Sequence, residues 1–395
     1  MQDFVQKAQQ LLEGQEELLS RPNAVDPRWH NGIYERYRHP VLTRDHVPIT
    51  WRYDLDPDSN PHLLERLGVN SVFNSGAIEM DGKIALVCRV EGTDRKSFFA
   101  VAESETGVDG FRFRDRPVQM PEAQDHATNT YDMRLTRHED GWIYGVFCVE
   151  CDGTDADGNA EAQAQCGIAR TRDLDAWERL DDLRTPSPQQ RNAVLHPEFV
   201  GGKYAFYTRP QAGFTGVKGG SGIGFGLCDD IEHAVIERER IIDPHVYHTV
   251  KDLKNGDGPP PLKTREGWLH IPHGVRETAA GLRYVLYTFL CDLEEPSRVT
   301  HRPGGYLMAP MFEERVGDVS NVVFCNGAVM RQDGTILVYY ASADTRLHVA
   351  VTDEDRLLDH VLNAPEDPLR SRRAVQQRNE LIARNEQVLE ELDLD

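Results

Sequence analysis

A glycine-centred turn followed by a short apolar strand recurs five times in this chain, in "MDGKIALVCR", "EDGWIYGVFC", "VGGKYAFYTR", "REGWLHIPHG" and "QDGTILVYYA". The turn glycines are Gly82, Gly141, Gly202, Gly267 and Gly334, separated by 59, 61, 65 and 67 residues. An acidic residue or a glycine stands before each of them, which suits the positive φ of a tight hairpin turn. Another strand-like run precedes each turn, such as "SGAIEM", "YDMRLT" or "GAVMRQ". A hairpin cannot bury its apolar face alone, so units of this size must pack on one another. Four-stranded sheets arranged radially meet that need. The spacing therefore predicts an all-β chain, a five-bladed β-propeller over residues 38–360, in preference to a β-sandwich.

The two ends read as helical extensions, 1–37 and 361–395. Residues 2–20 place Phe4, Ala8, Leu11, Leu12 and Leu19 at broadly helical spacing, and the tail repeats Val375, Ile382 and Leu389 every seven residues. Both are amphipathic, with an apolar stripe. Packing on the outside of the propeller is one use for such stripes. Docking on a neighbouring subunit is the other, and it predicts a homo-oligomer.

A formal net charge of -21 excludes a general nucleic-acid or anionic-membrane binder, because the summed field repels polyanions. An anion could be held only by a local basic cluster. The opening "MQDFVQKAQQ" lacks a basic segment followed by an apolar one, so no secretory leader is expected. Nor does any apolar run reach the roughly 18 residues of a membrane span. Seven scattered cysteines suit a reducing cytoplasm better than a disulfide framework. The one CxxC, Cys148 to Cys151, has no second pair and reads as strand-end thiols.

The repeats give the unusual polar residues a common address. Arg89 lies seven positions after its turn glycine, Arg209 holds the same place in the third repeat, His273 lies six after Gly267 and Asp344 ten after Gly334. On the incoming strands are Asn74, Asp132 and the pair Arg191–Asn192. Innermost strands line a propeller's channel, so these residues are expected to converge on one polar pocket. Taken singly each has a plain alternative as a solvated rim residue. For Asp132 that alternative is a pair with Arg134 on the same strand face, opposite Tyr131, Met133 and Leu135.

The expected pocket is unlike that of a hydrolase. An inverting glycosidase needs an acid and a base carboxylate roughly 6.5–9.5 Å apart. Here only Asp132 and Asp344 read as inward carboxylates, whereas Arg191, Arg209, Lys254 and His273 supply positive charge. Arginine forks and a lysine are what a phosphate dianion calls for, so phosphate rather than activated water is the expected attacking group. Three other motifs carry no site. The acidic stretch 152–161 resembles part of a calcium loop but lacks the complete spacing to its terminal Glu. The glycine-rich 216–226 does not lead into a helix. His245 and His248 have no third metal ligand nearby.

The blocks "NSVFNSGAIEMDGKIALVCRVEGTDRKSFFAVAES", "TYDMRLT", "RNAVLHPEFVGGKYAFYTRPQ", "GPPPLKTREGWLHIPHGV" and "SNVVFCNGAVMRQDGTILVYYASADTRLHVA" resemble glycoside hydrolase family 130 over about residues 38–355. Within it, "EGTDRKSFFAVAES" and "YDMRLT" resemble the members acting on mannosyl-glucose more than those acting on mannooligosaccharides. The resemblance implies a five-bladed propeller and an inverting phosphorylase. Such an enzyme splits 4-O-β-D-mannosyl-D-glucose with inorganic phosphate to α-D-mannose 1-phosphate and glucose.

It further implies that Asp132 is the general acid, acting through the mannose 3-hydroxyl. Arg191, Asn192, Arg209, Lys254, His273 and Tyr284 match the phosphate-binding set, with Lys251, Lys263 and Tyr287 standing close by as alternative counterparts. Asn74, Arg89 and Asp344 match contacts to the mannosyl unit, and Arg95 in "DRKS" is a further one. Phosphate is a co-substrate, and neither cofactor nor metal is implied. The other readings are a β-1,4-mannooligosaccharide phosphorylase, a β-mannoside hydrolase and a non-catalytic glycan-binding propeller.

Overall fold

The computed structural model describes residues 2–121, 127–154, 160–187, 189–210 and 221–393. Parts of the acidic stretch and of the glycine-rich stretch, 155–159 and 211–220, thus lie outside the described residues. The chain is all-β, mostly sheet with a few helices. All five repeated turns join strands paired antiparallel. In the first, Val69–Met80 turns into Lys83–Gly92 through Asp81 and Gly82, with φ of 52° and 77°. Two positive φ angles in a two-residue loop are what an Asp-Gly hairpin turn provides.

The first three repeats each build a four-stranded sheet from strands in chain order, and the fifth builds one that borrows its outermost strand from elsewhere in the chain. The first sheet continues from that hairpin through Ser97–Ser104 to Arg112–Phe113, and the second runs Ala127–Arg137, Ile143–Thr154, Ala160–Thr171, Trp177–Arg179. The third begins at Val194–Leu195 and the fifth at Val323–Met330. The fourth repeat departs from this pattern. Its strand breaks between Trp268–His270 and His273–Thr278, and the two pieces join different sheets, one of four strands and one of three. Pro272 stands at the break and has no N–H to continue a ladder.

Apolar layers link the sheets in a cycle. Leu86, Leu337 and Tyr339 join the first to the fifth, and Val87, Met133 and Phe147 join the first to the second. Tyr144, Ile168 and Phe206 join the second to the third. Tyr207, Trp268 and Phe289 continue to the fourth, and Leu269, Leu290 and Tyr340 close on the fifth. The leading strands also touch backbone to backbone. A Cβ at Gly76 would lie 3.0 Å from the Met133 carbonyl, and one at Gly327 would lie 2.6 Å from that of Ser75. Only glycine fits there.

The fifth sheet takes its outermost strand, Glu35–Arg36, from the other end of the chain, pairing it with Arg346–Asp353. Arg36 is buried there and pairs with Glu314, which also accepts a hydrogen bond from Tyr340 Oη at 2.7 Å. The helix Gln2–Leu19 lies against the body, with Phe4 buried and Gln15 Nε2 donating to the Val47 carbonyl at 2.8 Å. The helix Ser371–Leu392 buries nothing, and Val375, Ile382 and Leu389 remain exposed. No helix among the described residues is long and apolar enough to cross a membrane.

Candidate active site

One cavity of about 390 Å³ is lined by every residue expected at the site: Asn74, Arg89, Arg95, Asp132, Arg191, Asn192, Arg209, Lys254, His273, Tyr284 and Asp344. Bulges aim several of them. The ladder of the first hairpin skips between Phe73 and Gly76, throwing out Asn74, and that of the second skips between Tyr131 and Arg134, throwing out Asp132. Asn74, Asp132, Arg95 and Asp344 all have left-handed backbones, with φ of 45°, 60°, 66° and 50°. Such conformations are uncommon outside glycine and collect where the surroundings hold a functional geometry.

The bulge also corrects the simple alternation expected for "TYDMRLT". Asp132, Met133, Arg134 and Leu135 are all buried. Arg134 does not pair with the Asp132 carboxylate. It donates instead to the Asp132 main-chain carbonyl, at 3.0 Å. The carboxylate is held from the first sheet, by Asn74 Nδ2 at 3.0 Å and Arg89 Nη1 at 3.3 Å. Arg89 in turn donates to Glu91 at 2.7 Å and is sandwiched between the Phe73 and Tyr131 rings. Burial works against its charge, but the Asp132 and Glu91 carboxylates outweigh that and raise its pKa.

Asp344 faces the same corner. Burial and then the Asp132 charge raise its pKa to about 7. Relative to an ordinary carboxyl, the folded protein therefore retains a proton between pH 4 and 7 that the unfolded chain has released. This group's contribution to stability falls as pH rises through that window and stays low above it. Asp344→Asn is thus expected to melt above wild type at pH 8, with the difference vanishing toward pH 4. Melting curves across pH check this, and a lower melting point at pH 8 would refute it.

The opposite wall is cationic. Arg209 is buried and has no carboxylate partner among the described residues; Lys254 is half-buried and likewise has none there. Asn192 accepts from Arg209 Nη1 at 2.6 Å and donates to the Arg191 carbonyl at 2.9 Å. Gln190 Oε1 accepts from the Arg209 main-chain N–H at 2.9 Å. Burial, with Arg134 and Arg191 adding to it, lowers the Arg209 pKa. Lys254 Nζ sits 5.6 Å from the Tyr284 ring centre, and that ring stacks on His273. His273 departs from expectation in its charge. Burial, then Arg209, Arg134 and Lys254, hold its pKa well below the usual range, so it enters the wall as a neutral imidazole. Both its ring nitrogens lack a hydrogen-bond partner among the described residues.

The alternatives to Lys254 and Tyr284 lie elsewhere. Lys251 pairs with Asp243, and Tyr287 Oη donates to the same carboxylate at 2.6 Å. Lys263 is at the surface on Glu198 at 2.6 Å. Four polar lining residues were not expected: Glu91, Asn129, Tyr131 and Glu150. Glu91 stands two positions after Arg89 on one strand, so alternation could have found it. Tyr131 donates to Glu150 at 2.5 Å, and Glu150 lies 3.4 Å from Arg191. Nothing in "FCVEC" distinguishes Glu150 from a surface residue. Cys148 is buried mid-strand rather than at a strand end, and all seven cysteines are free.

The cavity thus sets a hydrogen-bonded carboxyl beside cations that have no carboxylate partner among the described residues, an arrangement able to hold an anion next to a proton donor. The chain belongs to glycoside hydrolase family 130, whose model, described as β-1,4-mannooligosaccharide phosphorylase, matches residues 43–363. It is 55% identical over 384 residues to a 4-O-β-D-mannosyl-D-glucose phosphorylase of Bacteroides fragilis, covering 97% of this chain and 98% of the relative. It is 31% identical over 326 residues to a β-1,4-mannooligosaccharide phosphorylase of Ruminococcus albus, covering 79% and 91%. A structure of β-1,2-mannobiose phosphorylase from Listeria innocua, in complex with β-1,2-mannobiose, superposes with a TM-score of 0.65 at 19% identity. It covers 87% of this chain and 99% of that one.

Proposed function

We propose that the protein is an inverting phosphorylase that cleaves 4-O-β-D-mannosyl-D-glucose with inorganic phosphate, releasing α-D-mannose 1-phosphate and glucose. The observation that carries this is the buried Arg209 beside Lys254, neither neutralised by a carboxylate among the described residues. Burying an unpaired cation costs several kcal/mol, and a phosphate dianion removes that cost. A hydrolase would need a base carboxylate at this wall instead.

In the reaction, phosphate held by Arg191, Arg209, Lys254 and a donating nitrogen of His273 attacks the anomeric carbon from the side opposite the leaving oxygen. Asn192 and Tyr284 shape that wall. Asp132, in its protonated form, supplies the proton to the departing glucose oxygen through the mannose 3-hydroxyl. Asn74, Arg89, Arg95 and Asp344 orient the mannosyl unit, and no cofactor takes part.

The 55% identity supports mannosyl-glucose as substrate. A β-1,4-mannooligosaccharide phosphorylase is the second reading, favoured by the description of the matching family model. Incubation with mannosyl-glucose or with mannobiose, each with and without phosphate, separates them. Faster mannose 1-phosphate release from mannobiose would favour the second reading, and mannose release without phosphate would refute both.

The body that carries the site, 38–360, we read as a five-bladed propeller, on the strength of the cyclic chain of apolar layers. The segments 1–37 and 361–395 are its extensions. The exposed stripe Val375, Ile382, Leu389 supports a homo-oligomer. Removal of 366–395 is expected to lower the assembly size in sedimentation, and an unchanged size would rule the role out. Seven free thiols support a reducing, cytoplasmic setting.

A further inference from the structure

Arg134 is 1% exposed, and among the described residues no carboxylate pairs with it. Its fork is spent on main-chain carbonyls. Nη1 donates to Asp132 at 3.0 Å, Nε to Gly258 at 2.9 Å and Nη2 to Asp257 at 3.4 Å. One end of this bridge is the left-handed residue that carries the acid. The other end follows directly on the strand Lys254–Gly256, which brings Lys254 to the cationic wall.

The far end is itself rigid. A Cβ on Gly258 would lie 2.2 Å from the Ile271 carbonyl, so that backbone has no room to move inward. Asp257 is fully buried; its Oδ1 accepts from the Gly258 N–H at 3.0 Å and its Oδ2 lies 2.8 Å from His270 Nδ1. The near end is strained: a left-handed non-glycine residue persists only when its surroundings hold it. The Asp132 carboxylate is fixed by Asn74 and Arg89, but its backbone is fixed by Arg134.

We propose that Arg134 is a positioning residue that sets the separation between the proton donor and the phosphate wall. The sugar lies between these two groups, so the bridge fixes the gap across which the glycosidic bond breaks. Lysine keeps the charge but cannot reach both carbonyl sets with one ammonium group. This rests on the reading of Asp132 as the acid.

Arg134→Lys is expected to lower kcat about 100-fold, the scale of a misplacement near 1 Å, with the KM for mannosyl-glucose changed less than threefold. Turnover is expressed per site that binds mannose 1-phosphate, counted by titration calorimetry, because a merely structural role would lose sites and leave each remaining one fast. Wild-type kcat per remaining site overturns the proposal.

If Arg134→Lys binds no mannose 1-phosphate, the pair His270→Asn and His270→Phe carries the test. The Asn amide can replace Nδ1 on Asp257 and Phe cannot, so Phe is expected to lower kcat per site at least tenfold further. Equal values overturn the proposal. Wild type is run alongside. Failure there to form mannose 1-phosphate would overturn the functional reading itself, whereas normal wild-type turnover with an unimpaired Arg134→Lys overturns the bridge alone.

Discussion

Asp132→Asn is expected to lower phosphorolysis of mannosyl-glucose by at least about 10³-fold while leaving the melting temperature within a few degrees of wild type. A positioned general acid contributes about 10²–10⁴-fold, and no second carboxyl holds the same place. Glu91 is engaged by Arg89 and Glu150 by Tyr131. Asp344 approaches from the fifth sheet and reaches Asp132 through charge rather than through a shared hydrogen bond. The asparagine oxygen can still accept from Asn74 Nδ2, so the local packing survives. Mannose 1-phosphate formation measures the loss. More than a few per cent of wild-type turnover would remove Asp132 from its role.

Arg209→Ala carries the second large effect, and its signature is selective. A charge-assisted hydrogen bond to a buried anion contributes about 1.5–3 kcal/mol. The KM for phosphate should therefore rise about 10- to 100-fold, while that for mannosyl-glucose moves less than threefold. In synthesis the KM for mannose 1-phosphate should rise with it and that for glucose should not. Equal effects on sugar and phosphate in steady-state rates would place Arg209 outside the anion site. Removing the residue also relieves an unpaired buried cation, so no large fall in stability is expected.

The five hairpins were legible because a turn of an acidic residue or glycine followed by glycine has a local cause that tertiary packing does not override. The split of the fourth sheet was not, although Pro272 marks the place, because a proline at a strand end and one that divides a sheet look alike in sequence. The site residues were legible through position in the repeat. Arg89 and Arg209 recur at one offset, and that offset carries them to one cavity. What escaped were features made only by folding. The bulge at Asp132 depends on two strands disagreeing in register, and the neutral state of His273 depends on burial and on cations supplied by three other segments. Arg134 was read as a partner for a side chain because alternation says nothing about a carbonyl one bulge away.

The pairing of Glu35–Arg36 with Arg346–Asp353 bears on the order in which the molecule can be made. The strand Glu35–Arg36 has no partner until roughly three hundred further residues have been made, so the fifth sheet cannot be completed before then. The chain's cysteines and apolar layers must meanwhile be held by neighbouring sheets alone. Folding intermediates should then leave uncovered the apolar face that the first sheet shares with the fifth. A circular permutant that begins just before Val323 and joins the old ends by a short linker would make Arg346 and Glu35 near neighbours in time, and should close faster than the natural order.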